Sequence, residues 1–451
     1  MVFHLADALG RIKRNLAEFL ERETIQQACH EIGHQWRDRL LDPATTLHLF
    51  ILQVLYRNTS CTHLPHLSDL SFTSSAYCQA RKRLPLELFR KLLAKLTHSA
   101  DARAGANDCW NGHRTFLADG SSFSMPDTPS LRAHFGQPSE QKAGCGFPVA
   151  HLLAMFHAGT GMLIEAITAP LVTHDLSLAT LLHPKLQAGD VLVADRGFCS
   201  FGHLAVLLER SLHGVFRMHQ RTLVDFTPGR AHVPPARRQT GHKGLPSSRW
   251  LRQLGVTDQL VEWYKPIAKP PWLTFEQYEK LPESFVVREL RYAVARPGFR
   301  TKEVTLVTTL LDADKYSTEE LASLYRTRWR IEVELRNLKQ TMNMDVLHCK
   351  SVEGVLKELT IFSLVYNLVR VVMLAAASRQ NVPVERISFI DALRWLCHAR
   401  PGKRLGNLVV LPERPNRFEP RVRKRRPKQF PPMTQPRHIL KGKLLEGHTT
   451  A

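Results

Sequence analysis

The feature that most constrains the fold is a set of short β-type runs, two of which stop at an aspartate. The first run, Thr115 to Ala118, is followed by Asp119, and the last, Val191 to Ala194, is followed by Asp195. Between them lie two β-type runs that flank a glycine-rich hairpin signal, and then a helical stretch, at 149–157, 162–168 and 177–186. Three strands, one helix and a fourth strand therefore follow in order, with an aspartate at the end of the first strand and another at the end of the fourth.

This order of elements is that of an RNase H-like α/β core, and we predict that fold class for the middle of the chain. Each aspartate also has a purely local interpretation. Asp119 and Asp195 precede or approach a glycine, and such residues at a strand end are commonly turn residues. For either aspartate alone the turn is the simpler interpretation, and only a third acidic residue further along the chain favours a functional site.

A helix predicted after residue 317 supplies a third acid. Ser317 to Glu320 forms a capping-box sequence, and the helical pattern continues to about Gln340. The polar side chains that share one face of this helix, about 60° wide at 100° per residue, are those of Tyr325, Arg328, Glu332 and Lys339. A solvated helix usually has its apolar stripe opposite its charges, whereas here the stripe lies beside them. We therefore expect Glu332 at the edge of the core and Glu334 pointing away, with a mild effect when Glu334 is replaced.

Asp119, Asp195 and Glu332 are the candidate catalytic and metal-binding residues. Three carboxylates brought together repel one another, and such a cluster is stable mainly when divalent cations neutralise it. Oxygen ligands select hard ions, so the expected cofactor is a pair of Mg²⁺ or Mn²⁺ ions. Two such ions, roughly 3.5 to 4 Å apart, act on opposite sides of a phosphorus atom.

The neighbouring side chains on the predicted helix face suit a phosphate substrate. Arg328 offers a bidentate fork, Lys339 a point charge and Tyr325 a hydrogen-bond donor. These three residues are therefore the candidate DNA-binding residues of the site.

The composition favours a polyanionic partner. The 451 residues include 62 lysines and arginines against 41 acidic residues, a formal net charge of +21, so nucleic acid is the first candidate and an anionic membrane surface the second.

The eight cysteines include no CxxC pair and the N-terminal sequence does not resemble a signal peptide, so we expect reduced thiols in the cytoplasm. The apolar run Leu359 to Ala377 contains Asn367 and Arg370, and its helical periodicity favours a buried helix over a membrane span.

The first 105 residues are predicted to be all helical. Leu5 to Glu21 has helical periodicity, Ala44 to Tyr56 forms an apolar core helix, and Pro65 breaks the pattern. Ser74 then caps a short helix that is basic toward its end and that Pro85 stops. Helix, break and short basic helix form the outline of a helix-turn-helix DNA reader, and an ordinary surface helix with solvated charges is an equally good interpretation.

The chain divides into three predicted parts. Residues 1–105 form a helical DNA-binding domain, 106–375 an RNase H-like catalytic domain, and 376–451 a helical C-terminal region with a basic, proline-rich tail. Inside the catalytic domain, proline-rich turns and β-type runs at about 220–310 predict a β-rich insertion. The tail includes the basic segment 421–428, whose role stays open.

Three motifs together resemble a known family. They are Asp119-Gly120-Ser121, Ala194-Asp195-Arg196-Gly197-Phe198 and Tyr325-x2-Arg328-x3-Glu332-x6-Lys339. They are similar to the DDE triad and the YREK signature of IS4-family bacterial transposases, the group that includes the Tn5 transposase. The YREK spacing is the most specific element, and the long interval after Asp195 fits the β insertion of that family.

The resemblance implies a cut-and-paste DNA transposase of an insertion sequence. Such an enzyme binds the terminal inverted repeats as at least a homodimer on double-stranded DNA, and it catalyses metal-dependent strand cleavage and strand transfer into target DNA. The residues that it implies as metal ligands are Asp119, Asp195 and Glu332, and as contacts to the end phosphates Tyr325, Arg328 and Lys339. Relatives stack a flipped base on an aromatic residue of the insertion. The candidates for that role are Trp250, Trp263 and Trp272.

Other classes of function stay open at this point. The segment His30-Glu31-Ile32-Gly33-His34 contains the HExxH pattern of zinc proteases, although Gly33 weakens a helix and no third-ligand motif follows shortly. A structure-specific DNA nuclease on the same core and a non-catalytic DNA-binding regulator descended from a transposase are further alternatives. The complete set of three acids favours an enzyme over the regulator, and joining of a cleaved 3′ end separates a transposase from a nuclease.

Overall fold

The structure is a computed structural model, and it describes residues 20–68, 70–101, 108–138, 142, 144–234, 244–294, 303–398, 404–413 and 433–446. Residues 5–19 of the first predicted helix and the basic segment 421–428 lie outside these ranges. The described chain is a mixed α/β protein built around one large sheet.

The described residues of the N-terminal part, from Leu20 to Asp101, are largely helical. Its described helices are α1 (Arg22–Glu31), α2 (Pro43–Leu55), α3 (Leu64–Leu67), α4 (Ser74–Arg83) and α5 (Leu86–Asp101). α2 is buried along its whole length because most of its side chains are apolar. The cap of α4 is Thr73 rather than Ser74, since the Thr73 hydroxyl accepts the Ala76 backbone N–H at 3.1 Å. Helix α4 ends before Leu84, because Leu84 precedes a proline and has an extended backbone.

Nine strands of the described chain form a single sheet. They are β1 (Thr115–Ser124), β2 (Val149–His157), β3 (Leu163–Pro170), β4 (Val191–Ala194), β5 (His213–Arg217), β6 (Arg249–Gly255), β7 (Asp258–Tyr264), β8 (Ser284–Ala293) and β9 (Glu303–Thr308). Their order across the sheet is β3-β2-β1-β4-β5-β9-β8-β7-β6. The pairs β1–β4 and β4–β5 are parallel, and the other pairs are antiparallel. The predicted β2–β3 hairpin is confirmed, and the described strands β6 to β9 lie within the segment at about 220–310 that the sequence predicts to be β-rich.

Helices cover both faces of the sheet. After α5 the described helices are α6 (Pro129–Phe135), α7 (Asp175–Leu182), α8 (Phe201–Glu209), α9 (Phe275–Glu279), α10 (Thr318–Thr327), α11 (Trp329–Arg336), α12 (Val352–Gln380), α13 (Phe389–Cys397) and α14 (Arg437–Leu445). On one face, α7 and α8 pack in a core that includes Phe116 and Leu204. On the other face, α10, α11 and α12 pack together with α2 and α5 in a larger core that includes Phe50, Leu117 and Phe362. The N-terminal helices therefore share a core with the sheet.

The β-rich segment extends the sheet at the edge formed by β5. Strand β9 pairs with β5 through Phe216 and Val307, and β8, β7 and β6 follow outward. The buried Arg288 on β8 donates to Asp258 Oδ1 on β7 at 2.8 Å and to the Tyr316 carbonyl oxygen at 2.6 Å. This arginine therefore ties the added strands to the residues just before α10, the helix that leads into the predicted site.

The long apolar helix α12 is a core helix. By length and composition it is the one described helix that is able to cross a membrane, and 83% of its most apolar 18-residue window is buried inside the protein. Its polar residues bind the β2–β3 turn. Asn367 accepts the Leu163 backbone N–H and donates to the Leu163 carbonyl oxygen, both at 2.8 Å, and Arg370 donates to the Thr160 carbonyl oxygen at 3.1 Å. The prediction of a buried helix is confirmed.

Candidate active site

Asp119 and Asp195 lie on neighbouring central strands, at the point where the pairing of these strands ends. The parallel pairing of β1 with β4 ends at the pair Ala118 and Ala194, so each aspartate directly follows the last pair. Asp195 directly follows β4, as predicted. Asp119 differs from the prediction because β1 continues to Ser124, still paired with β2. The Asp-Gly sequence at this point therefore lies within a strand and is not a turn.

The helix predicted to run unbroken past residue 336 has two irregularities. α10 and α11 are separated at Arg328, where the hydrogen bonds have three-residue spacing. The Arg328 N–H donates to the Tyr325 carbonyl oxygen at 3.1 Å, and the Ile331 N–H donates to the Arg328 carbonyl oxygen at 3.0 Å. Residues Asn337–Thr341 then form a π-helical turn, which widens the helix locally. The prediction of regular 100° spacing is therefore wrong beyond Arg328, and contacts rather than a helical wheel define which side chains converge.

Arg328 lies between two of the three predicted acids. Its Nη1 is 3.3 Å from Asp119 Oδ2, and its Nη2 is 3.5 Å from Glu332 Oε1. The pKa of Asp119 is raised to about 6, mainly by burial; the Arg328 guanidinium opposes this rise, and the charges of Asp195 and Glu332 contribute to it. Arg328 therefore contacts two of the three acids, and the charge of Asp195 also influences Asp119.

The other two predicted DNA contacts border this place. Lys339 Nζ donates to Ser121 Oγ at 3.1 Å and pairs with Asp345 Oδ1 at 3.2 Å, and Ser121 lies on the acid-bearing face of β1. Tyr325 is only 8% exposed, and burial raises its pKa to about 12. The Arg328 guanidinium lies 5.9 Å from the centroid of the tyrosine ring. Tyr325 therefore supports Arg328 from the protein side.

Glu334 faces away from the acids but is not solvated. Its Oε1 pairs with Arg370 Nη1 at 3.3 Å, and its Oε2 accepts the Tyr366 hydroxyl at 2.8 Å. Because Arg370 also donates to the Thr160 carbonyl oxygen, the ion pair ties α11 to α12 and to the β2–β3 turn. The burial of this pair predicts a loss of stability when Glu334 is replaced, whereas the mild effect expected from the sequence concerned strand cleavage.

The side chains of the three candidate acids are of the chemical type that binds a divalent metal ion. Asp119, Asp195 and Glu332 supply carboxylate oxygens, which hard cations prefer, and a bound cation would offset both the burial of the Asp119 carboxylate and its repulsion by Asp195 and Glu332. Within the ranges that the structure describes, no group of three or more His, Cys, Asp or Glu side chains is close enough to hold one ion. Arg328 lies between two of the acids and balances their charge.

The HExxH segment does not have the geometry that zinc binding by this pattern requires. α1 ends at Glu31, and Gly33 has a φ of +68°. His34 therefore lies outside the helix that carries His30, and the two imidazoles do not share a helical face.

Among the three candidate tryptophans, Trp263 lines a cavity of about 570 Å³ together with Phe201 and Tyr264. Its indole N–H donates to Glu289 at 2.9 Å. Trp272 lies edge-on to a buried histidine of α8, and Trp250 is half-buried on β6. The cavity lies beside the turn that follows Asp195, since Cys199 is also in its lining.

His151 and Asp175 belong to no motif in the sequence, yet they lie beside the two aspartates. The His151 Nε2–H donates to Asp175 Oδ1 at 2.7 Å. A Cβ atom added to Gly120, the residue after Asp119, would lie 2.5 Å from Asp175 Oδ1. The sequence signal for Asp175 is its position at the start of a helix. Acidic residues are favoured at this position in helices of every kind, so the signal does not indicate a functional site.

Several known proteins are similar to this chain. Residues 110–368 match the family model described as transposase DDE domain. The chain is 26% identical to the transposase InsG for insertion sequence element IS4 of Escherichia coli K12, over 465 aligned residues that cover 95% of this chain and 98% of that protein. The putative transposase InsZ of the same organism is 28% identical over 137 residues, 30% of this chain and 46% of that protein. The cryo-EM structure of the piggyBac transposase synaptic complex with hairpin DNA aligns with a TM-score of 0.41 at 12% identity, covering 86% of this chain and 80% of that one.

An α/β sheet with acids where its central strands part, inside a segment that matches the DDE domain over more than half of the chain, defines a DDE transposase. The chain belongs to the transposase DDE domain family. It is an insertion-sequence DNA transposase of the IS4 group. Membership of this family implies dependence on a divalent metal ion.

Proposed function

We propose that this transposase binds the terminal inverted repeats of its element and catalyses strand cleavage followed by strand transfer, with Asp119, Asp195 and Glu332 as metal ligands. The observation that carries the proposal is that these acids act on one another and on Arg328 at the point where β1 and β4 part. Such a cluster of like charges is costly to a fold unless it binds cations.

Two bound Mg²⁺ or Mn²⁺ ions would supply the activation of a water or 3′-hydroxyl and stabilise charge at the phosphorus. Residues of the chain do the positioning. Arg328, through its planar fork, and Lys339, as a point charge, bind end phosphates beside the acids. To reach a phosphate, Arg328 has to exchange at least one of its carboxylate partners, while the centroid of the Tyr325 ring remains 5.9 Å from the guanidinium.

The first five strands support an RNase H-like core as the finer description of the fold. Their order is β3-β2-β1-β4-β5, with parallel pairs on both sides of β4 and with α7 between β3 and β4 in the chain. The division into 1–105, 106–375 and 376–451 accompanies this proposal, with helices α1 to α5 as the DNA-binding part.

We assign DNA binding in that part to a basic groove beside α4. The side chains that line a cavity of about 480 Å³ there include Arg37, Arg39, Arg83, Trp36 and His34. Clustered arginines bind phosphates, and an aromatic ring offers a face to a base or sugar. Arg81 lies in the same basic run but is turned inward, because it donates to Gln53 Oε1 at 2.7 Å and to Cys349 Sγ at 2.8 Å.

Two transposon ends have to be held as a pair for concerted cutting. We therefore propose at least a homodimer on double-stranded DNA, with inverted repeats and target DNA as the nucleic-acid partners. The proposed location is the bacterial cytoplasm, at the nucleoid when the enzyme acts.

The test uses the full-length protein, a duplex carrying the terminal repeat that flanks the gene, a target plasmid and Mg²⁺. The protein is expected to cleave the end and to join its 3′-hydroxyl to the plasmid. Asp119→Asn, Asp195→Asn and Glu332→Gln are each expected to retain end binding in a gel-shift assay and to lose cleavage. Asp314→Asn, at an exposed acid just before α10, is the matched control and is expected to cleave normally.

Two outcomes would overturn the proposal. Cleavage without joining would favour a structure-specific nuclease on the same core. End binding without cleavage by the unaltered protein would favour a DNA-binding regulator.

A further inference from the structure

We propose that His151 and Asp175 form a positioning pair that fixes the separation between the strand of Asp119 and the turn of Asp195. This inference rests on the function proposed above for the two aspartates. Neither His151 nor Asp175 is placed among the groups that touch metal or DNA. Their effect is exerted through the backbone beside each aspartate.

The pair lies on the face of the sheet opposite to Arg328 and Lys339. His151 on β2 is paired with Ser122 on β1, and directly opposed residues of an antiparallel pair project to the same face. Gly120 shares that face, since side chains alternate along a strand, whereas Asp119 projects to the other face. The His151 Nε2–H donates to Asp175 Oδ1 at 2.7 Å, and both side chains are mostly shielded from solvent, at 14% and 29% exposure.

The carboxylate of Asp175 lies close to the backbone beside both aspartates. A Cβ atom on Gly120 would lie 2.5 Å from Asp175 Oδ1 and 3.1 Å from His151 Cε1. A Cβ atom on Gly197 would lie 3.9 Å from Asp175 Oδ2 and 3.0 Å from Asp195 Oδ1. The pair therefore fills the space beneath Gly120 and reaches the turn that holds Asp195. Gly120 does not have a positive φ, so this close approach, and not the backbone conformation, disfavours a larger residue at that position.

The need for such a pair follows from the pairing of the strands. Two ligands on different strands hold one ion only when their backbones keep a set distance. The hydrogen-bonded register of β1 with β4 ends at Ala118 and Ala194, one residue before the aspartates. From that point onward, the His151–Asp175 pair links the β1–β2 ladder to the turn after β4.

The test compares Asp175→Ala, Asp175→Asn, Gly120→Ala and the double variant Gly120→Ala/Asp175→Ala in the full-length protein. In the complex with the end duplex, electron paramagnetic resonance gives the Mn²⁺ concentration at half-maximal binding, with the duplex alone as the blank. Asp175→Ala is expected to raise this concentration about tenfold. Asp175→Asn keeps an oxygen acceptor for His151 and is expected to recover most of the loss. Gly120→Ala, whose methyl group displaces Asp175, is expected to act like Asp175→Ala and to add little to it in the double variant.

The matched control is Asp190→Asn. Asp190 pairs with Arg114 at 2.6 Å across the opposite ends of the same two strands, so its loss weakens the β1–β4 region without touching the aspartates. It is expected to lower the thermal unfolding midpoint and to leave Mn²⁺ binding unchanged.

The positioning role is overturned if Asp175→Ala lowers only the unfolding midpoint, as the control does. It is also overturned if the effects of Gly120→Ala and Asp175→Ala on the Mn²⁺ concentration at half-maximal binding multiply in the double variant. If Asp119→Asn and Asp195→Asn also leave Mn²⁺ binding unchanged, the proposed function fails with it. If those two variants abolish binding while the Asp175 variants do not change it, only the positioning role fails.

Discussion

The Arg328 guanidinium lies 3.3 Å from the Asp119 carboxylate, although 209 residues separate the two in the chain. The contact joins the middle of β1 to the break between α10 and α11. A second contact from the same guanidinium reaches Glu332 at 3.5 Å. One arginine therefore balances the charge of two of the three acids, and a divalent cation that binds these acids has to compete with it.

Arg328→Ala is expected to strengthen metal binding and to slow catalysis. Without the competing guanidinium, Mn²⁺ is expected to bind several-fold more tightly, as measured by isothermal titration calorimetry without DNA. Cleavage of the end duplex is expected to slow, because the phosphate fork is lost. Lys339→Ala is the control: Lys339 contacts Ser121 and Asp345 rather than the triad, so cleavage should slow with unchanged Mn²⁺ affinity. Weaker Mn²⁺ binding by Arg328→Ala would contradict the competition.

Replacing each of the two glutamates on α11 is expected to affect a different property of the protein. Glu334 is needed for stability and Glu332 for cleavage. Glu334→Ala leaves the buried Arg370 without its acidic partner, which is expected to lower the free energy of unfolding by about 3 kcal/mol. Glu332→Ala removes a side chain that is 42% exposed, so it is expected to cost less than about 1 kcal/mol while abolishing cleavage. Urea unfolding followed by circular dichroism measures the first effect, and the end-cleavage assay measures the second. A Glu334→Ala protein as stable as the unaltered one would refute the anchoring role.

Two arginines of α4 are expected to differ in how they affect DNA binding. Arg83 lines the basic groove, so Arg83→Ala is expected to weaken binding and to reduce the slope of log K against log salt concentration by about 1. Arg81 donates to Gln53 and Cys349 inside the protein, so Arg81→Ala is expected to lower the unfolding midpoint and to leave the slope unchanged. Fluorescence anisotropy over a series of salt concentrations provides both slopes. Equal changes in slope for the two variants would argue against the groove.

A buried histidine pair is expected to make the protein sensitive to acid. His183 and His203 stack with their Nε2 atoms 3.1 Å apart. Burial lowers the pKa of His203 to about 4 and that of His183 to about 3, from an ordinary value of about 6.5. Below pH 6.5 the unfolded chain therefore binds protons that the folded protein does not take up. The free energy of unfolding is expected to fall by about 1.4 kcal/mol per pH unit for each histidine, down to about pH 4.

His183→Leu is expected to reduce the loss of thermal stability between pH 7 and pH 5, since one of the two groups is then absent. His63→Gln, at an exposed histidine, controls for the removal of an imidazole from the chain. Calorimetric unfolding midpoints at three pH values measure the effect. A stability loss in His183→Leu as steep as that in the control would refute the assignment.

The central strands and the third acid were predictable from the sequence for physical reasons. Short β-type runs bounded by turn signals identify β1 to β4, and the parallel crossover through α7 places the ends of β1 and β4 side by side. Asp195 follows from that arrangement. Glu332 was proposed as the third acid through its spacing from Arg328 and Lys339, and its contact with Arg328 forms although the helix around it is irregular.

The remaining features depend on contacts between residues far apart in the chain. No proline or glycine marks the break at Arg328 or the π-helical turn after it. The burial of Glu334 depends on Arg370, 36 residues later. The pairing of His151 with Asp175 depends on how closely α7 approaches the sheet, and the addition of β9 to β5 joins segments about 90 residues apart. Local patterns carry no information on these distances.

The most direct test of the metal assignment is a change of metal specificity. Asp119→Cys and Asp195→Cys each replace a hard carboxylate by a softer thiolate, which accepts Mn²⁺ far more readily than Mg²⁺. The quantity to measure is the cleavage rate in Mn²⁺ divided by that in Mg²⁺, with Asp190→Cys as the control at the other end of the same strands. The ratio is expected to rise strongly for both aspartate variants and to match the unaltered protein for the control. A ratio unchanged in Asp119→Cys and Asp195→Cys, with cleavage retained in Mg²⁺, would contradict the assignment of these carboxylates as metal ligands.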